Sequence, residues 1–102
     1  MPETRPVKRL RRHLTIENLW LYILSLIRKE ECYAYTLPEQ IERGFHFRPS
    51  RVMVYIVLHM LDGEGLIKSE QKERRKYYRL TEKGKETLKE AKRELKALSE
   101  KL

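Results

Sequence analysis

The segment from Lys68 to Gly84 does most to narrow what this chain can fold into. Leu66 and Ile67 precede it, and Tyr77, Tyr78 and Leu80 close it, so apolar anchors flank a polar, charged turn. That pattern predicts a β-hairpin. Thr81 follows at once as a candidate N-cap, so the hairpin runs straight into a helix. From Lys68 to Arg79 there are six Lys or Arg against two Glu. A short hairpin carrying that much positive charge suits the backbone of a nucleic acid.

Length and charge agree with this. With 102 residues there is room for one domain, and a chain this short is often helped by self-association. The formal net charge of +8 favours an anionic partner, either nucleic acid or an acidic membrane surface. No apolar run approaches the roughly 18 residues of a membrane span. Leu19 to Leu24 is apolar, but Glu17 and Asn18 interrupt its start and no small-residue cleavage site follows, so a signal peptide is rejected. Cys32 is the single cysteine and cannot form an internal disulfide, which fits a reducing, cytoplasmic setting. The 37% charged residues, with one Asn and two Gln, resemble a thermophile's balance.

Residues 1–14 carry Arg5, Lys8, Arg9, Arg11 and Arg12 beside Pro2 and Pro6, and are expected to form a basic arm, mobile or partly helical. Its bland reading is a solvated tail. Thr15 is expected to cap a first helix. After it, Ile16, Leu19, Trp20, Ile23, Leu24 and Ile27 recur with helical spacing, while Leu21, Tyr22 and Leu26 make a second apolar face suited to a partner. A second, weaker helix is expected within Cys32–Arg43, its regular part beginning between Tyr35 and Pro38 and its end marked by Gly44. Phe45–Phe47 alternates like a short strand.

Ser50 then caps a third helix, with Arg51 at its first position. The run Val52–Leu61 is rich in strand-formers. Its length, the preceding cap and the stop signals of Asp62–Gly65 decide for a helix, with Val54, Leu58 and Leu61 buried. The last helix, after Thr81, places Gly84, Leu88, Ala91, Leu95, Leu98 and Leu102 at spacings of 4, 3, 4, 3 and 4. This is a coiled-coil seam on an otherwise charged helix, with Glu82–Lys85, Glu86–Lys89 and Glu90–Arg93 at i, i+3. A narrow seam of this kind fits pairing with another helix better than lying on its own domain.

The order helix, helix, short strand, helix, hairpin, long helix is that of a winged helix-turn-helix. The motifs narrow it further. Leu61-Asp62-Gly63-Glu64-Gly65-Leu66-Ile67, followed by Arg75-Lys76-Tyr77-Tyr78-Arg79-Leu80-Thr81-Glu82-Lys83-Gly84, resembles the PadR-like transcriptional regulators over about residues 15–100. In that family the third helix ends in a Leu-acidic-Gly-Leu-Ile turn, and the wing returns through a basic-Tyr-Tyr-Arg-Leu-Thr segment. Tyr33-Ala34-Tyr35 stands where the family has His-Gly-Tyr, and Ser50 and Tyr55 match the Ser and Tyr of its Ser-Pro-Gly-Thr-Leu-Tyr helix start. Arg51-Val52-Met53 replaces the Pro-Gly-Thr, and Ile56 replaces the Pro after the Tyr. The third helix is unusually apolar for one that reads bases. The resemblance implies a C-terminal helix that pairs two chains, in the compact subgroup with one such helix.

The expected fold is therefore mostly α with a small β-hairpin: a basic arm at 1–14, a winged helix-turn-helix at 15–80 and a dimerisation helix at 81–102. Candidate DNA-binding residues are Arg48, Ser50, Arg51, Tyr55, Lys72, Arg74, Arg75 and Lys76. Arg48 and Arg51 can fork onto guanine edges or phosphates, and the wing cations suit phosphate or minor-groove contact. Against them stand the bland readings of surface charge and, for Tyr55, a place in the core. Tyr77 and Tyr78 alternate, so one faces in and one out. Candidate dimer residues are Leu21, Tyr22, Leu88, Ala91, Leu95, Leu98 and Leu102. In some family members aromatic residues line a ligand pocket at the dimer interface; for Trp20 packing is the preferred reading.

No catalytic or metal site is expected. His13, His46, His59 and Cys32 lack ligand spacing, Gly63-Glu64-Gly65 follows a helix instead of opening one, and Glu30-Glu31 reads as a solvated loop. No cofactor is expected, and any effector is unknown. The partners expected are double-stranded DNA and a second copy of the chain, with no membrane. The expected function is a homodimeric, sequence-specific transcriptional regulator, taken as a repressor. The alternative is a non-specific nucleic-acid-binding or chromatin-organising protein. A protein–protein adaptor on the same fold is a further option.

Overall fold

A computed structural model describes residues 3–102. Helix α1 spans Arg5–Leu14, with a proline in its first turn and Arg11, Arg12 and His13 in its last, where cations complement the helix dipole. Thr15 does not cap the next helix. It closes α1, its hydroxyl donating to the Arg11 and Arg12 carbonyls at 2.8 and 3.3 Å. A 3-10 turn over Ile16–Asn18 then leads into α2, Leu19–Lys29. The apolar period runs across this break without registering it. Asn18 ties the corner by donating to the His13 carbonyl at 2.6 Å.

The second helix also departs from expectation. Cys32–Tyr33 forms a short strand, β1, and a 3-10 turn over Ala34–Thr36 precedes α3, Leu37–Phe45. Gly44 lies inside α3, and the left-handed capping residue is His46, at φ 65°. Nor is Phe45–Phe47 a strand. Both rings pack edge-on against Tyr22 with centroids 4.8 Å away, and this contact carries the helix past Gly44. Leu37 and Ile41, one turn apart on α3, are fully buried.

Helix α4, Arg51–Gly63, begins where Ser50 predicted: the Ser50 Oγ accepts from the Met53 amide at 3.1 Å. Strands β2 (Ile67–Lys72) and β3 (Arg75–Leu80) form the hairpin, joined by Glu73 and Arg74. Glu73 has φ 57°, in the region that tight hairpin loops demand and that glycine fills most easily. β1 pairs with β3 in the register Cys32↔Tyr78 and Tyr33↔Tyr77, giving an antiparallel sheet of order β1-β3-β2.

Helix α5, Glu82–Lys101, is locked to the hairpin's base. Thr81 Oγ1 accepts from the Gly84 amide at 3.0 Å and donates to the Gly65 carbonyl at 2.7 Å. A Cβ on Gly84 would run into the Leu66 carbonyl, so only glycine allows this approach. The core gathers Leu19, Ile23, Leu24 and Ile27 of α2 with Leu37, Ile41, Val54, Leu58, Leu61, Ile67, Tyr78 and Leu88. Leu88 is thus buried within its own chain. Beyond it α5 leaves the core, and Leu95, Leu98 and Leu102 are exposed. The three expected i, i+3 ion pairs line its polar side.

Candidate nucleic-acid interface

The sheet determines the site. Because β1 pairs with β3, the turn that follows β1 is carried up beside the wing and the start of α4. Tyr33, Tyr35 and Tyr55 come together there with Arg74, Arg75 and Lys76, lining an open groove of about 590 Å³. Tyr35 and Tyr55 are exposed. Two cations at the groove are seated against rings. The Arg51 guanidinium lies 4.1 Å from the Tyr35 centroid, and that of Arg75 lies 4.7 Å from Tyr33. Tyr33 in turn meets Tyr77 edge-on at 5.5 Å. Rings placed this way hold guanidinium groups at the surface while leaving their N–H edges free for an anion.

Of the candidate DNA-binding residues, Arg51, Tyr55, Arg74, Arg75 and Lys76 surround or adjoin this groove. The other three are engaged elsewhere. Ser50 uses its hydroxyl oxygen as the α4 cap. Arg48 pairs with Glu42 at 3.2 Å. Lys72 pairs with Glu31 at 2.8 Å, and that hydrogen bond raises its ammonium above the ordinary value. Tyr77 points outward and Tyr78 is buried, which settles their alternation. Tyr33 and Tyr35 were not among the candidates. Their two-residue spacing was the available signal, but a two-residue strand is too short to declare itself by pattern.

A second groove, about 440 Å³ and mostly apolar, lies between α2 and α5, lined by Leu14, Trp20, Leu21, Ala91 and Leu95 among others. The Trp20 indole N–H donates to Asn18 Oδ1 at 3.3 Å, and the Tyr22 hydroxyl donates to the Leu14 carbonyl at 2.7 Å. Among the described residues no group of three or more His, Cys, Asp or Glu could hold a metal ion, and no helix is long and apolar enough to cross a membrane.

Residues 23–90, two thirds of the chain, match the model of the transcriptional regulator PadR-like family. The chain belongs to this family. Its fold is the winged helix of PadR-like regulators of known structure. A PadR family regulator from Eggerthella lenta is 26% identical, with a TM-score of 0.80 over 92% of this chain and 86% of that one. A PadR-like regulator from Bacillus cereus is 35% identical, with a TM-score of 0.72 over 81% and 85%. Bacillus subtilis PadR, solved in complex with operator DNA, is 30% identical, with a TM-score of 0.63 over 71% of this chain and 45% of that one. No curated protein matches the chain.

Proposed function

We propose that the chain is a homodimeric, sequence-specific DNA-binding regulator of transcription that acts as a repressor. The observation that carries this is the groove between α4 and the wing. Arg51 and Arg75 stand on tyrosine rings at that groove, Arg74 and Lys76 line it with Arg75, and all four are exposed. The likeness to a relative solved on operator DNA supports it. In this reading α4 enters the major groove and the wing grips adjacent backbone. Two α4 helices of a dimer sit about 34 Å apart for half-sites one turn apart, so the operator is a pseudo-palindrome. A repressor then acts by occupying that site.

The dimer is supported by Leu95, Leu98 and Leu102, exposed along α5, beside the apolar groove that Trp20 and Leu21 line. Domain roles follow: 15–80 binds DNA, 81–102 pairs the chains, and the arm at 1–14 adds charge. Within the arm Arg5–Leu14 is a helix, and Met1 and Pro2 lie outside the described residues.

Selection of bound duplexes from a random pool tests this. An enriched palindrome is expected. The second reading, non-specific binding, is favoured by the apolar surface of α4 and the cationic α1. It predicts no enrichment and equal affinity for all sequences at every salt concentration.

A further inference from the structure

Helix α4 is unusual on its solvent side. Val54, Leu58 and Leu61 point into the core. At about 100° per residue, the side chains opposite them are Val52, Ile56 and His59. Val52 is 67% exposed and Ile56 49%. From Arg51 to Leu61 there is no Asn, Gln, Ser, Thr, Asp or Glu. A helix meant only for water would carry polar groups at all three positions; here only His59 is polar, and two β-branched residues one turn apart facing solvent mark a surface with a partner.

The charge around the row says which partner. Arg51 opens the helix, and the wing cations stand across the groove from it. The row thus runs beside the cationic groove, Val52 next to Arg51 and Ile56 next to Tyr55, with Ile56 continuing into an apolar depression that Met53 and Met60 also line. An apolar strip along a positively charged edge matches a polyanion that carries apolar groups between its charged edges. Duplex DNA is such a polyanion. In its major groove the one apolar group a base pair presents is the thymine C5-methyl.

We propose that Val52 and Ile56 read thymine methyl groups in the major groove. The proposal rests on the DNA-binding reading and deepens it. The operator is then marked by thymines opposite the middle of α4, while Arg51 supplies a hydrogen-bonded contact at the helix start.

The test replaces single thymines of the selected operator by deoxyuridine, which removes only the methyl and leaves pairing and charge intact. One or two positions per half-site are expected to lose about fourfold in affinity each, the factor for one apolar carbon no longer buried. Val52→Ala or Ile56→Ala should abolish the loss at the thymine each side chain covers. Both residues are exposed and alanine favours helix, so these variants should keep the wild-type circular dichroism and oligomeric state. A motif whose thymines all tolerate uracil overturns the methyl reading and leaves the regulator standing. Retained thymine discrimination in both variants overturns it too. So does an altered oligomeric state, since the row would then contact a second copy of the chain. A pool that returns no motif overturns both readings, because a helix that reads no sequence reads no methyl.

Discussion

The Arg51 guanidinium lies 4.1 Å from the centre of the Tyr35 ring, joining the first residue of α4 to the turn after β1. At an exposed site such a contact is worth about 0.5–1 kcal/mol, enough to bias one rotamer of a long side chain. Arg51→Ala should therefore lower the ratio of specific to random DNA binding. Tyr35→Leu should lower it less, by releasing the guanidinium without removing it. Arg51→Lys should not restore it, because an ammonium lacks the planar fork. Competition gel shifts against random duplex read the ratio. Equal losses on both DNAs for Arg51→Ala would move this residue from bases to phosphate.

The wing should behave differently. Arg74 and Arg75 flank the hairpin turn, and Arg75 is steadied over Tyr33. Arg74→Ala combined with Arg75→Ala is expected to weaken binding across all sequences. The slope of log K against log salt should flatten by up to about two units, near one per lost phosphate contact. A selective loss on the operator alone would assign the wing to base readout instead.

Gly84 gives a prediction whose sign runs against helix propensity. Exchanging glycine for alanine within a helix ordinarily stabilises by up to about 1 kcal/mol. Here a Cβ meets the Leu66 carbonyl, which also accepts the Thr81 amide at 3.1 Å and cannot retreat freely. Gly84→Ala should destabilise by about 1–3 kcal/mol, the usual cost of overpacking. A melting temperature equal to or above wild type would mean that α5 can move off the hairpin base without loss.

Much of this is legible in the sequence. Ser50 and Thr81 announced their helices because a cap is a local signal, complete within four residues. The hairpin was legible for the same reason. What stayed hidden depends on distant partners. Cys32–Tyr33 is a strand only because β3 lies beside it. Helix α3 overruns Gly44 because Phe45 finds Tyr22, and α2 starts late because Thr15 and Asn18 bond back to α1. In the groove the arginines were visible as charges, but the rings beneath them come from another part of the chain. The seam of α5 was visible as a pattern. Its division after Leu88 is set by where the core ends.

Alkaline stability follows from burial. Desolvation raises the Cys32 thiol above its ordinary 9.0, and the Tyr22 and Tyr78 hydroxyls above 10.0. In each case the folded protein holds the proton more tightly than the unfolded chain. Their stabilisation is complete below the ordinary values and is lost as pH rises through the folded ones. Melting temperature should be insensitive to these groups near neutral pH, begin to fall above 9.0, and fall more steeply above 10.0. Cys32→Ala should remove the first part of the decline. A fall already present near neutral pH would point to other groups.

The last prediction concerns assembly and uses the exposure of Leu95. In the single chain Leu95 is 44% exposed at the edge of the groove between α2 and α5. If the chain worked alone, Leu95→Glu would be a surface change, worth within about 0.5 kcal/mol. If α5 pairs with a second copy, the same change buries an unpaired carboxylate and costs several kcal/mol by order of magnitude. The two cases thus separate widely. For the wild type, melting temperature should rise with protein concentration, as mass action requires of a folded dimer. For Leu95→Glu that dependence should vanish, the protein should sediment as a monomer or unfold, and operator affinity should drop, since one half-site contributes little alone. Leu98→Ala, a milder cut in the same stripe, should weaken pairing without adding charge and keep the helical spectrum. A Leu95→Glu protein that remains a dimer with an unchanged melting temperature would show that this stripe faces water and that the chains pair elsewhere.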